Sequence, residues 1–303
     1  TRGVDAESIF AAIDEEDVSY LCAAPTVLNM LLDHYADHDV ATAGDADVRV
    51  ATAGSAPPEA TIRTVEDEFG WYLKHVYGAT ETGPLVTTSD ARRYFEDDSP
   101  DRFAIKKTQG MGFLGTDLRV VDENGEDVPE DGETIGEIVV RGNQVMDRYL
   151  GKPEATEEAF NDRIEGYYHM GDLATVDENG MVQIQDRKKD IIVSGGENIS
   201  SIELEDTLFE HPDVADVAVI PSPSEEWGET PKAFVVPESG DPDDTAVSAD
   251  ELTEFTRENL ASYKTVRRVE FVRELPTTAT GKVQKYELRE REWEDEESMV
   301  GQG

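Results

Sequence analysis

The chain has 303 residues and a formal net charge of -41, because 68 aspartates and glutamates stand against only 27 lysines and arginines. A surface this acidic repels nucleic-acid phosphates and anionic lipid headgroups, so we expect neither as a partner. The 38% of hydrophobic residues can fill packed cores, and the length predicts about two domains.

The acidic residues are scattered through every segment instead of forming one tail. This distribution indicates a solvated surface whose self-repulsion is screened by salt, and it favours a halophilic protein from a salt-rich cytoplasm. The alternative is that the acids bind cations or basic proteins.

Residues 19–32 form the longest uncharged apolar stretch near the start, which is shorter than the roughly 20 residues needed to span a bilayer. We therefore expect no membrane span. A basic-then-apolar signal peptide is absent, and the single cysteine, Cys22, cannot form an internal disulfide. Both features favour a cytoplasmic location. Because unpaired cysteines are usually buried, we expect Cys22 to be a structural thiol in the core.

The first part of the chain alternates helical and strand patterns. Apolar residues recur at helical spacing in residues 5–13 and 26–35, and a proline starts a further helix at 59–69. Strand candidates occur at 18–22, 48–52 and 72–76. This order predicts a partial α/β subdomain over residues 1–105.

From about Gly110 the apolar period changes to two, which predicts a β-rich, barrel-like subdomain over residues 106–187. The tetrapeptide Asp-Glu-Asn-Gly occurs at 122–125 and again at 177–180, and both copies favour tight hairpin turns. A calcium loop is disfavoured because the later ligand positions are missing. After Arg187, alternating strand and helix patterns predict a small C-terminal α+β lid domain over residues 188–303.

Several weaker patterns point to other chemistry. Residues 110–115 match the dinucleotide-binding glycine pattern, but they lead into a strand and not into the helix that pyrophosphate binding needs. His34 and His38 are spaced to share a metal, although a polar helix end is the favoured interpretation. His75, His169 and His211 have no visible serine or cysteine partner for a hydrolase triad.

Four segments place reactive side chains beside glycines or on loops, and these are residues 77–84, 168–172, 186–198 and 276–282. The first could approach a ligand closely and aim the Glu81 carboxylate at a divalent cation. In the second, Asp172 could accept hydrogen bonds from a sugar diol, or it could simply be a hairpin acid. The third joins a charged linker to a glycine-rich turn, and the fourth carries Lys282 on a loop that could deliver a charge to a phosphate.

In this order and spacing, the four segments resemble the adenylate-forming (AMP-binding) superfamily, which includes acyl-CoA synthetases, aryl-CoA ligases, luciferases and peptide-synthetase adenylation domains. The resemblance covers nearly the whole chain. Trp227-Gly228-Glu229 and residues 267–289 are most similar to fatty-acyl and related CoA ligases.

The resemblance implies a role for each matching residue. Thr80 would contact the nucleotide phosphate, Glu81 would bind magnesium, and Lys282 would bridge the carboxylate and the α-phosphate. Asp172 would hold the ribose hydroxyls with help from Arg187. The adenine pocket would comprise Gly54, Ser55, Ala56 and Tyr77. Gly78 would lie beside this pocket, and Gly78 and Ala79 would border the acyl group. Lys189 would be the hinge, and Gly195 and Gly196 would line the pantetheine channel.

The implied activity is that of an AMP-forming acid–thiol ligase. A carboxylate attacks the α-phosphorus of ATP, with Mg2+ as cofactor, to give acyl-AMP, and the CoA thiol then displaces AMP. Rotation about Lys189 would withdraw Lys282 and bring in the turn at Gly195. The acyl substrate, expected to be a fatty or related acid, and the oligomeric state stay open.

Three departures from the expected pattern matter. The Ser/Thr/Gly-rich phosphate loop that ends in Pro-Lys-Gly is not found in this sequence, and Thr1 is not an initiator methionine. The chain is therefore expected to be the C-terminal part of a longer ligase. Met170 stands where the family usually has threonine. The alternatives are a catalytically silent fragment acting as a lid or binding module, or an enzyme that loads a carrier protein.

Overall fold

The computed structural model describes residues 4–42, 47–90, 102–161, 164–278 and 282–293. The chain forms two compact units. The first comprises Thr1–Met170 and Ala174–Ile184, and the second comprises Gly171–Leu173 and Gln185–Gly303. The predicted mixed α/β and α+β fold with several sheets is confirmed.

The first unit begins with alternating helices and strands. Its helices are α1 (Ala6–Glu15), α2 (Pro25–Asp37), α3 (Glu59–Phe69) and α4 (Arg102–Lys106), and its first strands are β1 (Tyr20–Cys22), β2 (Arg49–Thr52) and β3 (Tyr72–Tyr77). These strands run parallel in the order β1-β2-β3, and β4 (Thr87–Thr88) and β5 (Met111–Gly112) extend the sheet in antiparallel fashion. Local signals set the boundaries: Asp5 caps α1 by accepting from the Ser8 amide at 2.8 Å, and Gly70 ends α3 in the left-handed region.

One face of this sheet packs against α1, α2 and α3. Val50 and Leu73 point into a core that also contains Phe10, Ile62 and Trp71. Side chains on the alternate positions point to the other face, where Tyr20 is 70% exposed. Cys22 lies on that face and is exposed. The prediction that Cys22 is a buried thiol is therefore wrong, because the helices of the described residues cover only one of the two faces of β1.

The β-rich part of the chain has four strands in the order β6-β7-β8-β9. They are β6 (Thr116–Val121), β7 (Gly136–Gly142), β8 (Tyr168–Val176) and β9 (Val182–Arg187), and α5 (Pro153–Ala159) lies between β7 and β8 in the chain. Within the described residues β6 and β9 are its edges, so the sheet is open and no barrel closes. Both Asp-Glu-Asn-Gly copies form turns, in which Asp122 and Asp177 accept from the amide two residues later at 2.8 and 2.9 Å.

The rest of the second unit is a sheet with helices on both faces. Its strands are β10 (Ile192–Ser194), β11 (Glu197–Ile199), β12 (Val214–Ser224), β13 (Gly228–Pro237) and β14 (Arg268–Phe271), and its helices are α6 (Ser201–Phe209), α7 (Ala249–Asn259) and α8 (Lys285–Glu292). The order is β11-β10-β13-β12, and β14 pairs with β13. Alternate residues of β12 and β13 separate two cores: Val219 packs with the α6 and α7 side, and Ile220 packs with Leu288 of α8.

A search of the helices in these described ranges finds none long and apolar enough to cross a membrane.

Candidate active site

The loops after β2 and β3 lie at the same edge of the first sheet. The two strands are parallel neighbours, with Thr52 paired to His75, so their carboxyl ends meet there. The loop after β2 carries Gly54, Ser55 and Ala56, all exposed, and Gly54 has a φ of 103° that favours glycine. Tyr77 is the last residue of β3, and the next turn begins at Gly78. The sequence-predicted nucleotide residues of the first unit are therefore brought to one sheet edge.

The turn after β3 is tightly built around glycine and threonine. A Cβ on Gly78 would lie 2.0 Å from the Pro84 carbonyl oxygen, so no larger residue fits there. The Thr82 hydroxyl is bonded to both backbone groups of Ala79, at 2.9 Å to the amide and 3.0 Å to the carbonyl. These bonds fold residues 80–82 into one helical turn, which leaves Thr80 exposed at its start.

Glu81 is half-buried in this turn and has one oxygen engaged. Its Oε1 accepts a hydrogen bond from the Tyr149 hydroxyl at 2.9 Å, and its backbone carbonyl accepts from the Met146 amide at 2.7 Å. Among the described residues, no donor is bonded to Oε2. Within the described residues, the turn therefore leaves Glu81 Oε2 without a protein hydrogen bond.

This arrangement fits a magnesium ion that is held mainly by substrate. Mg2+ prefers hard oxygen ligands and is commonly bound through one or two carboxylates together with substrate phosphates. No group of three or more His, Cys, Asp or Glu side chains in the described ranges is arranged to hold a metal alone. A single carboxylate with a free oxygen, as at Glu81, suits such a shared site and not a dedicated protein cage.

In the second unit, Asp172 and Arg187 face each other on neighbouring strands. Arg187 Nε lies 3.6 Å from Asp172 Oδ1, and the Asp172 side chain is only 14% exposed. The Lys188 amide donates to the Gly171 carbonyl at 2.9 Å, which fixes the register beside this pair. The structure thus brings together two residues that the sequence places 15 positions apart.

Lys282 lies near the same pair. The Lys282 amide donates to Thr278 Oγ1 at 3.1 Å, and its carbonyl accepts from the Thr278 amide at 2.8 Å. Loss of hydration lowers the pKa of Lys282 from its ordinary value, the Arg187 cation lowers it further, and the Asp172 carboxylate opposes both. Residues 279–281 of this loop lie outside the described residues. The second unit therefore places the Lys282 ammonium group where the Arg187 guanidinium group and the Asp172 carboxylate both act on it.

The predicted hinge and glycine turn adjoin this region in sequence. Lys189 is exposed in a turn in which the Asp190 amide donates to the Arg187 carbonyl at 2.9 Å. Gly195 and Gly196 join β10 to β11 with φ values of 63° and 90°, the left-handed geometry of a two-residue hairpin. A Cβ on Gly195 would lie 2.8 Å from the Trp227 ring.

Two side chains beside these residues were not predicted as site residues. Tyr149 reaches Glu81 across 68 positions of sequence, and nothing in its flanking residues signals that contact. Trp227 packs against Gly195 and carries the Arg267 guanidinium 5.1 Å from its ring centroid. The only available signal for Trp227 was its place in the Trp-Gly-Glu tripeptide.

Comparison with known proteins gives a consistent match. Residues 1–150 match the family model for AMP-binding enzymes, and residues 203–282 match the model for the AMP-binding enzyme C-terminal domain. The chain is 40% identical over 295 residues to probable acyl-activating enzyme 10 of Arabidopsis thaliana, covering 96% of this chain and 52% of that protein. It is 39% identical over 292 residues to 2-methylpropanoate–CoA ligase CCL4 of Humulus lupulus, covering 95% and 51%.

Among solved structures, the ATP-bound crystal structure of MatB from Rhodopseudomonas palustris superposes with a TM-score of 0.78 at 28% identity. The match covers 97% of this chain and 54% of that one. The chain thus spans about half the length of the curated relatives it matches. Two family models in the expected order, together with relatives of the same kind along nearly the whole chain, establish that it belongs to the family of AMP-binding, adenylate-forming enzymes.

Proposed function

We propose that these residues belong to an ATP-dependent carboxylic acid:CoA ligase that forms an acyl-AMP and then an acyl-CoA. The observation that carries the proposal is the 39% identity to a CoA ligase along 95% of the chain. The site geometry supports it, because a carboxylate oxygen to which no described residue donates, an acid suited to a diol and a loop lysine are the groups that this chemistry needs.

In the first step, an oxygen of the substrate carboxylate attacks the α-phosphorus of ATP, and the bond from that phosphorus to the pyrophosphate oxygen breaks. Lys282 would stabilise the negative charge shared between the carboxylate and the α-phosphate. Thr80 would contact the phosphate, and the free oxygen of Glu81 would hold magnesium. When bound, the magnesium ion would supply charge neutralisation on the phosphates.

The remaining residues would bind and orient the nucleotide and the acid. Gly54, Ser55, Ala56 and Tyr77 are proposed to form the adenine pocket because their loops share one sheet edge. Gly78 would border the acyl group, where the absence of a side chain leaves room. Asp172 would accept from the ribose hydroxyls, and Arg187 would hold the Asp172 carboxylate in place.

In the second step, the CoA sulfur attacks the acyl carbon and the bond from that carbon to the AMP oxygen breaks. The exposed hairpin turn at Gly195 and Gly196 is proposed to line the path of the pantetheine arm. Lys189 is proposed as the hinge residue because it lies in an exposed turn. The preferred acids are proposed to be aliphatic, with short members tested first because one relative is named for 2-methylpropanoate.

The setting of the enzyme is also a proposal. A single cysteine and a net charge of -41 suit a reducing, salt-rich cytoplasm. The same charge disfavours an acidic carrier protein as the acyl acceptor, so CoA is the proposed thiol. An oligomer is compatible with all of these features.

The test is release of pyrophosphate by this chain in concentrated KCl with MgATP, CoA and a panel of short, medium, long and aromatic acids. Release that requires both an acid and Lys282, with Lys282→Ala as the control, would support the ligase and identify the acid class. A folded chain that releases none would favour the alternative, in which these residues act only as a lid or binding module.

A further inference from the structure

Three oxygen-bearing side chains of the first unit contact one another in succession, and they are Glu81, Tyr149 and Tyr168. The Tyr149 hydroxyl donates to Glu81 Oε1 at 2.9 Å. The Tyr168 hydroxyl lies 3.5 Å from the Tyr149 oxygen, at the outer limit for a hydrogen bond. The Tyr149 hydroxyl thus lies between the Glu81 carboxylate and the Tyr168 hydroxyl.

The backbone around Tyr149 is fixed by hydrogen bonds other than these side-chain contacts. The Tyr149 amide donates to the Thr156 hydroxyl at 3.0 Å, and that hydroxyl donates to the Lys152 carbonyl at 2.9 Å. The same loop is attached to the turn after β3, because the Met146 amide donates to the Glu81 carbonyl at 2.7 Å. Tyr149 is therefore held at both ends, and its hydroxyl occupies a set position relative to Glu81.

The Tyr149 hydroxyl is a hydrogen-bond donor, and the Glu81 carboxylate oxygen accepts from it. A carboxylate at the end of a glutamate rotates over a broad range when nothing holds it. A donor on one oxygen removes that freedom.

We propose that Tyr149 is a positioning residue for Glu81: it holds Oε1 and thereby directs Oε2 toward the cation that accompanies the nucleotide. This inference rests on the proposed function of Glu81. Mg2+ demands near-ideal octahedral geometry and one oxygen per ligand position. A carboxylate with one oxygen already engaged is restricted to that single-oxygen mode, whereas a freely rotating carboxylate is not.

The test compares Tyr149→Phe with the wild-type chain and with Tyr167→Phe as a matched control. Tyr167 also donates its hydroxyl to a carboxylate, Asp117 Oδ2, at 2.6 Å, but Tyr167 belongs to a different core cluster from Tyr168. Two readouts are used: binding of Mn2+ in the presence of ATP, followed by electron paramagnetic resonance, and the Mg2+ concentration that gives half-maximal pyrophosphate release. The thermal midpoint of each variant monitors folding.

The expected result is a roughly tenfold or larger weakening of nucleotide-dependent Mn2+ binding in Tyr149→Phe, with the same rise in half-saturating Mg2+. Tyr167→Phe should match the wild type in both readouts. In a Glu81→Ala background, Tyr149→Phe should have no further effect. A purely structural tyrosine would instead lower the thermal midpoint without moving the Mg2+ dependence.

The outcomes separate the two proposals. If the wild type binds Mn2+ with ATP and Tyr149→Phe binds it equally well, the positioning role is overturned while the ligase proposal stands. If the folded wild type neither binds Mn2+ with ATP nor releases pyrophosphate, the proposed function is overturned, and the positioning role falls with it.

Discussion

Lys285 Nζ lies 2.7 Å from Glu205 Oε1 inside the second unit, where it joins α8 to α6. The same ammonium group donates to Ser201 Oγ at 2.7 Å. Glu205 Oε1 also accepts from the Val219 amide of β12 at 2.6 Å. Because β12 is an outer strand of its sheet in the described part of the chain, the carboxylate satisfies a backbone donor that has no neighbouring strand there. One ion pair thus connects two helices to a sheet edge.

This pair predicts a pH-dependent stability. Burial raises the pKa of Glu205 from 4.5 to about 7, against the opposing effect of Lys285. Between these values the folded chain keeps a proton that the unfolded chain has released, so the stability due to Glu205 falls as pH rises and is lost above the folded pKa. Urea unfolding should show the wild type losing about 2–3 kcal/mol relative to Glu205→Gln between pH 4.5 and 8.

The quantity to compare is the difference in the free energy of unfolding between the wild type and Glu205→Gln at each pH. The wild type alone is not sufficient, because other carboxyl groups also change its free energy of unfolding with pH. The Asp117 pKa, for example, is lowered mainly by its hydrogen bond from Tyr167, so its contribution to stability is lost as pH falls. A difference between wild type and Glu205→Gln that stays constant across the pH range would show that Lys285 keeps Glu205 ionised throughout.

Local signals predicted the elements well, and long-range packing set the rest. The Asp-Glu-Asn-Gly turns follow from residues within each tetrapeptide, because Asp122 and Asp177 bond to amides only two positions away. The exposure of Cys22 depends instead on which face of β1 the helices cover. Sequence spacing alone contains no information about that choice.

Helix α8 shows a second limit of sequence reasoning. Its segment Lys-Tyr-Glu-Leu-Arg-Glu-Arg-Glu has a single buried apolar residue, Leu288, so no helical period is visible. The helix is held by long-range ion pairs, among them Arg289 with Asp190 and Lys285 with Glu205. The site residues were assigned through the family resemblance. Their grouping at one sheet edge and around Lys282 is what the fold adds.

Cys22 should react with a thiol reagent while the chain is folded. It is the only cysteine in the sequence and is exposed on β1. We expect one equivalent of Ellman's reagent to react with the folded chain. The rate constant should be within about tenfold of that for the urea-unfolded chain, because the access to the thiol and its thiolate fraction control the reaction. Cys22→Ser gives the background. Protection of the thiol until unfolding would contradict the exposed position.

The chain should become more stable as salt is added. Its charge of -41 produces self-repulsion, and the screening length falls from about 10 Å at 0.1 M to about 3 Å at 1 M salt. We expect the thermal midpoint to rise by at least about 5 °C between 0.1 and 2 M KCl. Equal rises in KCl and choline chloride would indicate screening, whereas a rise confined to KCl would indicate bound cations. A flat response would contradict adaptation to salt.

Opposite substitutions around Lys282 should move its pKa in opposite directions. Asp172→Asn removes the carboxylate that favours the ammonium form, so the pKa of Lys282 should fall further below its ordinary value. Arg187→Gln removes a repelling cation, so the pKa of Lys282 should rise. Titration of 13C-dimethylated lysines by NMR measures both, with the resonance assigned through Lys282→Arg. Shifts of Lys282 in the same direction in both variants would show that altered burial, and not charge, controls this lysine.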